Sequence, residues 1–343
     1  MNTYNKAVVI GGGAFGTAIS NVLAENFSQV LIKVRRQNIF DEMSNGRNES
    51  YLPGLRLSNN IQPVMSWHEM FTGDDEKIDL LVFALPSAAL LEYLDTNYEP
   101  ILRILKKDVP VVSLSKGIDP NTLELTDDIY RKFFKDFLDH FTFLSGPSFA
   151  KEIVERQITV VSLAGRSKKT LMSVSSMLDT SYFKTLSCYD IKGVLLGGAL
   201  KNILAIAGGI IEGLGFNHNT RAALITRGIF EMLHFGRVFN AMPETFYGLS
   251  GMGDLILSTT GDLSRNKLFG LGIAKGIQPQ DVLKKMKTTV EGYETTLAAH
   301  RLSLRYDIRA SIFNGVHSVL YENINPLQAL SKLMRTSTRF EFG

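Results

Sequence analysis

The sequence predicts an α/β protein with a doubly wound parallel sheet in its N-terminal half and an all-helical second domain. Short β-rich runs alternate with helical stretches through the first half, and strands separated by segments of crossover length pair in parallel. From about residue 190 the apolar residues recur at helical spacing, β-rich runs become scarce, and glycine-containing breaks separate the segments. At 343 residues the chain exceeds the size at which one core usually keeps growing, so two domains are expected, at 1–188 and 189–343.

In chain order the strands are read at 7–10, 30–34, 80–84, 111–113, 142–144 and 159–163. The first runs directly into Gly11, Gly12, Gly13, Ala14, Phe15 and Gly16, which fits the spacing G-x-G-x-x-G. Between a strand and a helix, Gly11 permits the tight turn, Gly13 lets the backbone approach a pyrophosphate, and Gly16 lets helix and strand pack closely. The free N–H groups and positive dipole end of the helix then face the phosphates. The first domain therefore reads as a Rossmann dinucleotide-binding fold. At the end of the second strand, where an NAD-selective site usually carries Asp or Glu, stand Arg35 and Arg36. Guanidinium groups there pair with a 2′-phosphate, so NADPH is expected to be accommodated beside NADH.

The stretch 193–211 is nearly all apolar and about as long as a bilayer requires. Lys201 and Asn202 at its centre, where a charge costs at least about 2.5 kcal/mol in lipid, and its five glycines point instead to close packing in a soluble protein. Lys201 shares its helix face with Gly197, Gly198, Ala205 and Gly208. A face so free of bulk is expected to let the lysine meet a flat cofactor or substrate, with desolvation easing release of its proton. Further on, a glycine-rich turn at 248–254 is followed by Ser258 and then by Ser264, Arg265 and Asn266. Guanidinium, hydroxyl and amide donors together suit a phosphate, although Ser264 equally fits a helix cap.

Composition excludes several other classes. Hydrophobic residues at 45% and charged residues at 21% describe an ordinary globular protein. The net charge of +3 is spread out, and its densest run, Lys284, Lys285 and Lys287, reads as a solvated helix face, so no nucleic-acid partner is expected. With Cys188 as the single cysteine no intrachain disulfide forms, and the start of the sequence has no signal-peptide pattern, which together point to the cytoplasm. The six histidines form no ligand pattern with acids or Cys188, so no metal is expected.

These residues resemble the soluble bacterial type of NAD(P)-dependent glycerol-3-phosphate dehydrogenase along nearly the whole chain. The resemblance rests on Gly-Gly-Gly-Ala-Phe-Gly-Thr-Ala from 11, Asn-Glu-Ser-Tyr-Leu-Pro-Gly from 48, Ser-Lys-Gly-Ile from 115 and Ser-Gly-Pro-Ser-Phe-Ala from 145. It continues with Gly-Gly-Ala-Leu-Lys-Asn from 197, Ala-Ala-Leu-Ile-Thr-Arg-Gly from 222, Gly-Met-Gly-Asp-Leu from 251, Ser-Arg-Asn from 264 and Val-Glu-Gly from 290. It implies interconversion of dihydroxyacetone phosphate and sn-glycerol 3-phosphate with NADP(H) or NAD(H), a homodimer, and supply of glycerol 3-phosphate to phospholipid synthesis.

By the same resemblance Lys201 is the proton donor and acceptor, Asp254 its acidic partner, and Lys116 a contact to substrate and cofactor. Gly146, Ser148, Asn202, Ser264, Arg265 and Asn266 fall on substrate contacts. Gly11, Gly13, Ala14, Phe15, Gly16, Arg35, Arg36, Lys116, Ala150, Arg265 and Glu291 fall in or beside cofactor positions. The chain departs from the family pattern at Lys184, Leu195, His218, Ser258 and Ser311, none of which removes a group assigned to chemistry. Two rival readings are a related dehydrogenase of the same two-domain plan and a dinucleotide sensor that has lost catalysis. The set Lys116, Lys201 and Asp254 argues against a dehydrogenase acting on a hydroxyacyl thioester, and the two lysines with the Ser264, Arg265 and Asn266 cluster argue against the sensor.

Overall fold

A computed structural model describes residues 4–71, 77–286 and 289–335, so Lys287 of the basic run lies outside the described residues. The strands are β1 (Tyr4–Ile10), β2 (Phe27–Lys33), β3 (Ile61–Val64), β4 (Ile78–Phe83), β5 (Val111–Ser113), β6 (Phe141–Ser145), β7 (Thr159–Gly165) and β8 (Phe183–Cys188). They form one sheet in the order β3-β2-β1-β4-β5-β6-β7-β8. Ala7, Val8 and Val9 of β1 and Leu80, Leu81 and Val82 of β4 are fully buried, as the central strands of a sheet covered on both faces must be.

The sheet is mixed rather than wholly parallel, because β7 runs antiparallel to β6 while every other pair is parallel. The connection between them holds only the five-residue helix α6 (Ala150–Val154), numbered in chain order with its fellows below. At about 1.5 Å per residue such a helix spans about 7.5 Å, less than half of the roughly 16 Å that a five-residue strand covers. Two strands that the sequence reading does not include, β3 and β8, are the two edges. Pro63 sits within β3, a residue that sheets tolerate at an edge. At the start of β8 the preceding turn covers part of the outward backbone. Thr180 exchanges hydrogen bonds with Phe183, and Asp179 Oδ1 accepts from the Thr185 amide at 3.0 Å.

The helices before the second domain are α1 (Ala14–Leu23), α2 (Gln37–Ser44), α3 (Ser87–Thr96), α4 (Tyr98–Leu105), α5 (Thr126–Phe133), α6, and α7 (Lys168–Leu178). After β8 come α8 (Ile191–Gly213), α9 (His218–Val238), α10 (Pro243–Tyr247), a π-turn at Leu249–Gly253, α11 (Asp254–Thr260), α12 (Arg265–Ala274), α13 (Pro279–Met286), α14 (Glu291–Arg305), α15 (Ser311–Tyr321) and α16 (Pro326–Arg335). The chain divides into two compact units, Met1–Lys116 with Leu125–Leu195, and Gly117–Glu124 with Leu196–Gly343. The division thus falls within the first turns of α8, and the short segment after Lys116 groups with the helical unit.

Helix α8 is long and apolar enough to cross a membrane, but 94% of its most apolar stretch is buried inside the protein. It is the core helix of the second unit. A Cβ built on Gly209 would lie 2.0 Å from the Lys267 carbonyl oxygen, and one on Gly270 would lie 2.2 Å from that of Ile206. Only glycines allow α8 and α12 to cross so closely.

Candidate active site

In the first unit the functional groups gather beyond the carboxyl ends of the parallel strands. The order of strands reverses between β1 and β4, the place where open α/β sheets bind ligands. Gly11 takes φ +116°, and a Cβ there would stand 2.5 Å from the Ala84 carbonyl oxygen. On Gly16 a Cβ would stand 2.1 Å from the Gly11 oxygen, so the third glycine lets α1 close onto the turn. Gly13 differs from both, because nothing lies within 4 Å of its Cβ position and no side chain caps α1. The two outer glycines build the turn while the middle one leaves the helix amides open, which fits a dinucleotide pyrophosphate.

Arg35 and Arg36 are exposed just past the end of β2. Arg36 donates to the Tyr51 hydroxyl, with its guanidinium 5.4 Å from the centroid of that ring. No acidic side chain stands at 34–36, so nothing there repels a 2′-phosphate. Lys116 follows β5 with its ammonium 5.5 Å from the Phe15 ring centroid and 3.5 Å from the Gly146 carbonyl oxygen. The same oxygen accepts from Ser148 Oγ at 2.8 Å. Phe15, Lys116, Gly146 and Ser148 therefore form one cluster, with Ala150 opening α6 close by in sequence.

The second unit gathers its own cluster around α8. Lys201 Nζ lies 2.9 Å from Asp254 Oδ1 and 2.7 Å from Ser258 Oγ, one helical turn apart on α11. Asp254 and Ser258 are each 2% exposed, so the cation is paired and hydrogen-bonded where an unpaired one would be expensive. Two of the small residues on the Lys201 face, Gly197 and Gly208, are packed against neighbouring backbone and side chain. A Cβ on Gly197 would meet the Ser250 carbonyl oxygen at 2.7 Å, and one on Gly208 would meet Thr259 at 3.4 Å. Those glycines bring the π-turn and α11 against α8, and this places Asp254 within reach of Lys201.

Ser264 is the N-cap of α12 and accepts from the Lys267 amide at 3.3 Å. Asn266 joins three helices: Nδ2 donates to Asn202 Oδ1 at 2.9 Å, and Oδ1 accepts from the Gly292 amide at 3.0 Å. Glu291, at the start of α14, is thereby set beside this clasp in the chain. Arg265 is exposed and makes no hydrogen bond or ion pair with another described residue. Of the Ser-Arg-Asn run, it alone has its whole polar end available to an anion.

Residues 6–171 match the family model for the N-terminus of NAD-dependent glycerol-3-phosphate dehydrogenase, and residues 190–331 match that for its C-terminus. Glycerol-3-phosphate dehydrogenase (NAD(P)+) of Solidesulfovibrio magneticus is 38% identical over 98% of this chain and 100% of its own length. This chain belongs to the NAD(P)-dependent glycerol-3-phosphate dehydrogenase family. The corresponding Myxococcus xanthus protein is 38% identical over 98% of this chain and 99% of its own. A crystal structure of glycerol-3-phosphate dehydrogenase from Coxiella burnetii, 29% identical, matches with a TM-score of 0.88 over 96% of this chain and 98% of that one.

As a family member the chain is an NAD(P)-dependent oxidoreductase that interconverts dihydroxyacetone phosphate and glycerol 3-phosphate. Ser258, which the sequence reading groups with a phosphate cradle, is a direct partner of Lys201. The structure also draws in residues that sequence reasoning does not assign. Asn48 and Tyr51, in a motif to which the resemblance attaches no role, touch the glycine turn and Arg36.

Proposed function

We propose that Lys201 delivers and recovers the proton in the interconversion of dihydroxyacetone phosphate and sn-glycerol 3-phosphate. The observation that carries this reading is the buried Lys201–Asp254–Ser258 triangle on α8 and α11. When bound, NADPH or NADH supplies the hydride to the carbonyl carbon. Negative charge then develops on the carbonyl oxygen, and Lys201 meets it with positive charge and a proton. Asp254 keeps the lysine charged and aimed beforehand. Ser258 accepts from the ammonium and can turn its own O–H toward the amine once the proton has left.

Lys116 is assigned to substrate and cofactor contact, Gly146 and Ser148 to substrate contact, and Asn202 and Asn266 to orienting the substrate. Ser264 and Arg265 take the substrate phosphate, with Arg265 as its bidentate partner. Gly11, Gly13, Ala14, Phe15 and Gly16 hold the pyrophosphate and nicotinamide arm, joined by Ala150, Arg265 and Glu291. Arg35 and Arg36 favour the 2′-phosphate of NADPH. The same reading makes the enzyme a cytoplasmic homodimer that feeds phospholipid synthesis.

Oxidation of NADPH and NADH by dihydroxyacetone phosphate, followed by absorbance, tests the assignment. Lys201→Ala should lower kcat by about 100- to 10,000-fold while calorimetric NADPH affinity stays near that of the parent enzyme. Unchanged turnover in the variant would remove Lys201 from proton transfer. A higher kcat/KM for NADH than for NADPH would remove the arginine argument.

A further inference from the structure

We infer that Asn48 is a positioning residue for cofactor binding: it sets the orientation of the Gly12–Gly13 peptide and so aims the Gly13 amide at the pyrophosphate. This rests on reading the glycine turn as the pyrophosphate site. Asn48 is 0% exposed, and its Nδ2 donates to the Gly12 carbonyl oxygen at 3.1 Å and to Thr17 Oγ1 at 2.8 Å. Both acceptors flank Gly13, one on the turn and one in the first turn of α1. In a trans peptide the C=O and the following N–H point in opposite directions. Holding the Gly12 oxygen toward Asn48 therefore turns the Gly13 N–H away from it, and Gly13 itself is uncrowded, since a Cβ there would meet nothing within 4 Å.

The amide orientation follows from the partners, since the reverse would set Oδ1 against the Gly12 oxygen. The loop that carries Asn48 is itself fixed. Glu42 accepts from the Ser50 amide at 2.8 Å, Glu49 accepts from the Gly54 amide at 2.9 Å, and the Asn48 carbonyl accepts from the Leu52 amide at 2.8 Å. An asparagine held this way preorganises the turn before the ligand arrives.

Asn48→Asp keeps the shape, removes both donors and sets a carboxylate against the Gly12 oxygen. Binding of ADP-ribose, which carries the pyrophosphate, and of 2′-AMP, which does not, is measured by calorimetry on the full-length enzyme. Asn48→Asp should weaken ADP-ribose by about 10- to 100-fold, in line with loss of a supporting hydrogen-bond partner. It should leave 2′-AMP affinity within about threefold, the size of an ordinary surface effect. Asn48→Ser, which retains one donor, should fall between the two. If both ligands weaken together, or ADP-ribose affinity does not change in a folded variant, the inference fails. If the parent enzyme does not bind ADP-ribose competitively with NADPH, the reading of the glycine turn fails instead.

Discussion

At the scale of single residues the chemistry depends on how one cation is housed. Lys201 sits on an apolar helix, and its charge is matched by Asp254 and shared with Ser258. Removing the hydroxyl leaves the carboxylate and ammonium in place but takes away one acceptor, a change worth about 1.5–3 kcal/mol when a charged donor is involved. Ser258→Ala should therefore lower kcat by about 10- to 100-fold with little change in the KM for dihydroxyacetone phosphate, and Ser258→Thr should restore it. Steady-state kinetics of both variants decides this, because a purely structural role would not be rescued in kcat. How much of this was legible differs by residue. The apolar surroundings of Lys201 are written in its neighbours, whereas Asp254 lies 53 residues away, and only family resemblance pairs the two. Asn48 escaped notice because a buried asparagine serving a backbone carbonyl leaves no periodic mark in the chain.

At the scale of elements, helix caps and crossings explain what pattern alone misses. Helix α15 begins after Ala310, which offers no capping side chain, and its first amides are served from α9 by Glu231. Glu231 accepts from the Ile312 amide at 2.8 Å and from that of Phe313 at 3.2 Å. Burial pushes its carboxyl from the usual 4.5 up to about 7, with the backbone donors pulling the other way. A raised acid holds its proton more tightly in the folded state. The contribution of Glu231 to stability is therefore fullest below pH 4.5 and is lost as pH rises through about 7, by up to about 3 kcal/mol. Thermal melts from pH 5 to 8 should show the parent enzyme losing stability relative to Glu231→Gln, and parallel curves would contradict the argument. The missed strands also belong to this scale. β3 is four residues with a proline, and β8 alternates exposed and buried positions beside a polar turn, so neither carries the continuous apolar run that marks β1 or β4. The antiparallel turn into β7 was equally hidden, since strand composition does not record direction.

At the scale of the whole molecule, bulk properties constrained class but not assembly. Length and composition pointed to a two-part globular protein, and the change from β-rich runs to helices was visible near residue 190. Contact between segments distant in sequence then moved residues 117–124 into the helical unit, where Arg301 donates to the Pro120 carbonyl oxygen. The homodimer is a question for sedimentation equilibrium. The expected outcome is a species of twice the 38.1 kDa chain mass at micromolar concentration, and a single 38.1 kDa species throughout would remove it.

The turn that precedes β8 has a consequence for how these molecules tolerate crowding. A bare margin of a sheet is a template on which a neighbour, or a partly folded copy, lays another strand. Here Asp179 and Thr180 occupy the very groups such a strand would seek, and the lysine at 184 is tied to that same aspartate at 3.1 Å. At the other margin, Pro63 lacks the amide that an added strand would bond. Addition of a further strand is thus discouraged at both margins of the sheet, by side chains to which no part in the reaction is assigned.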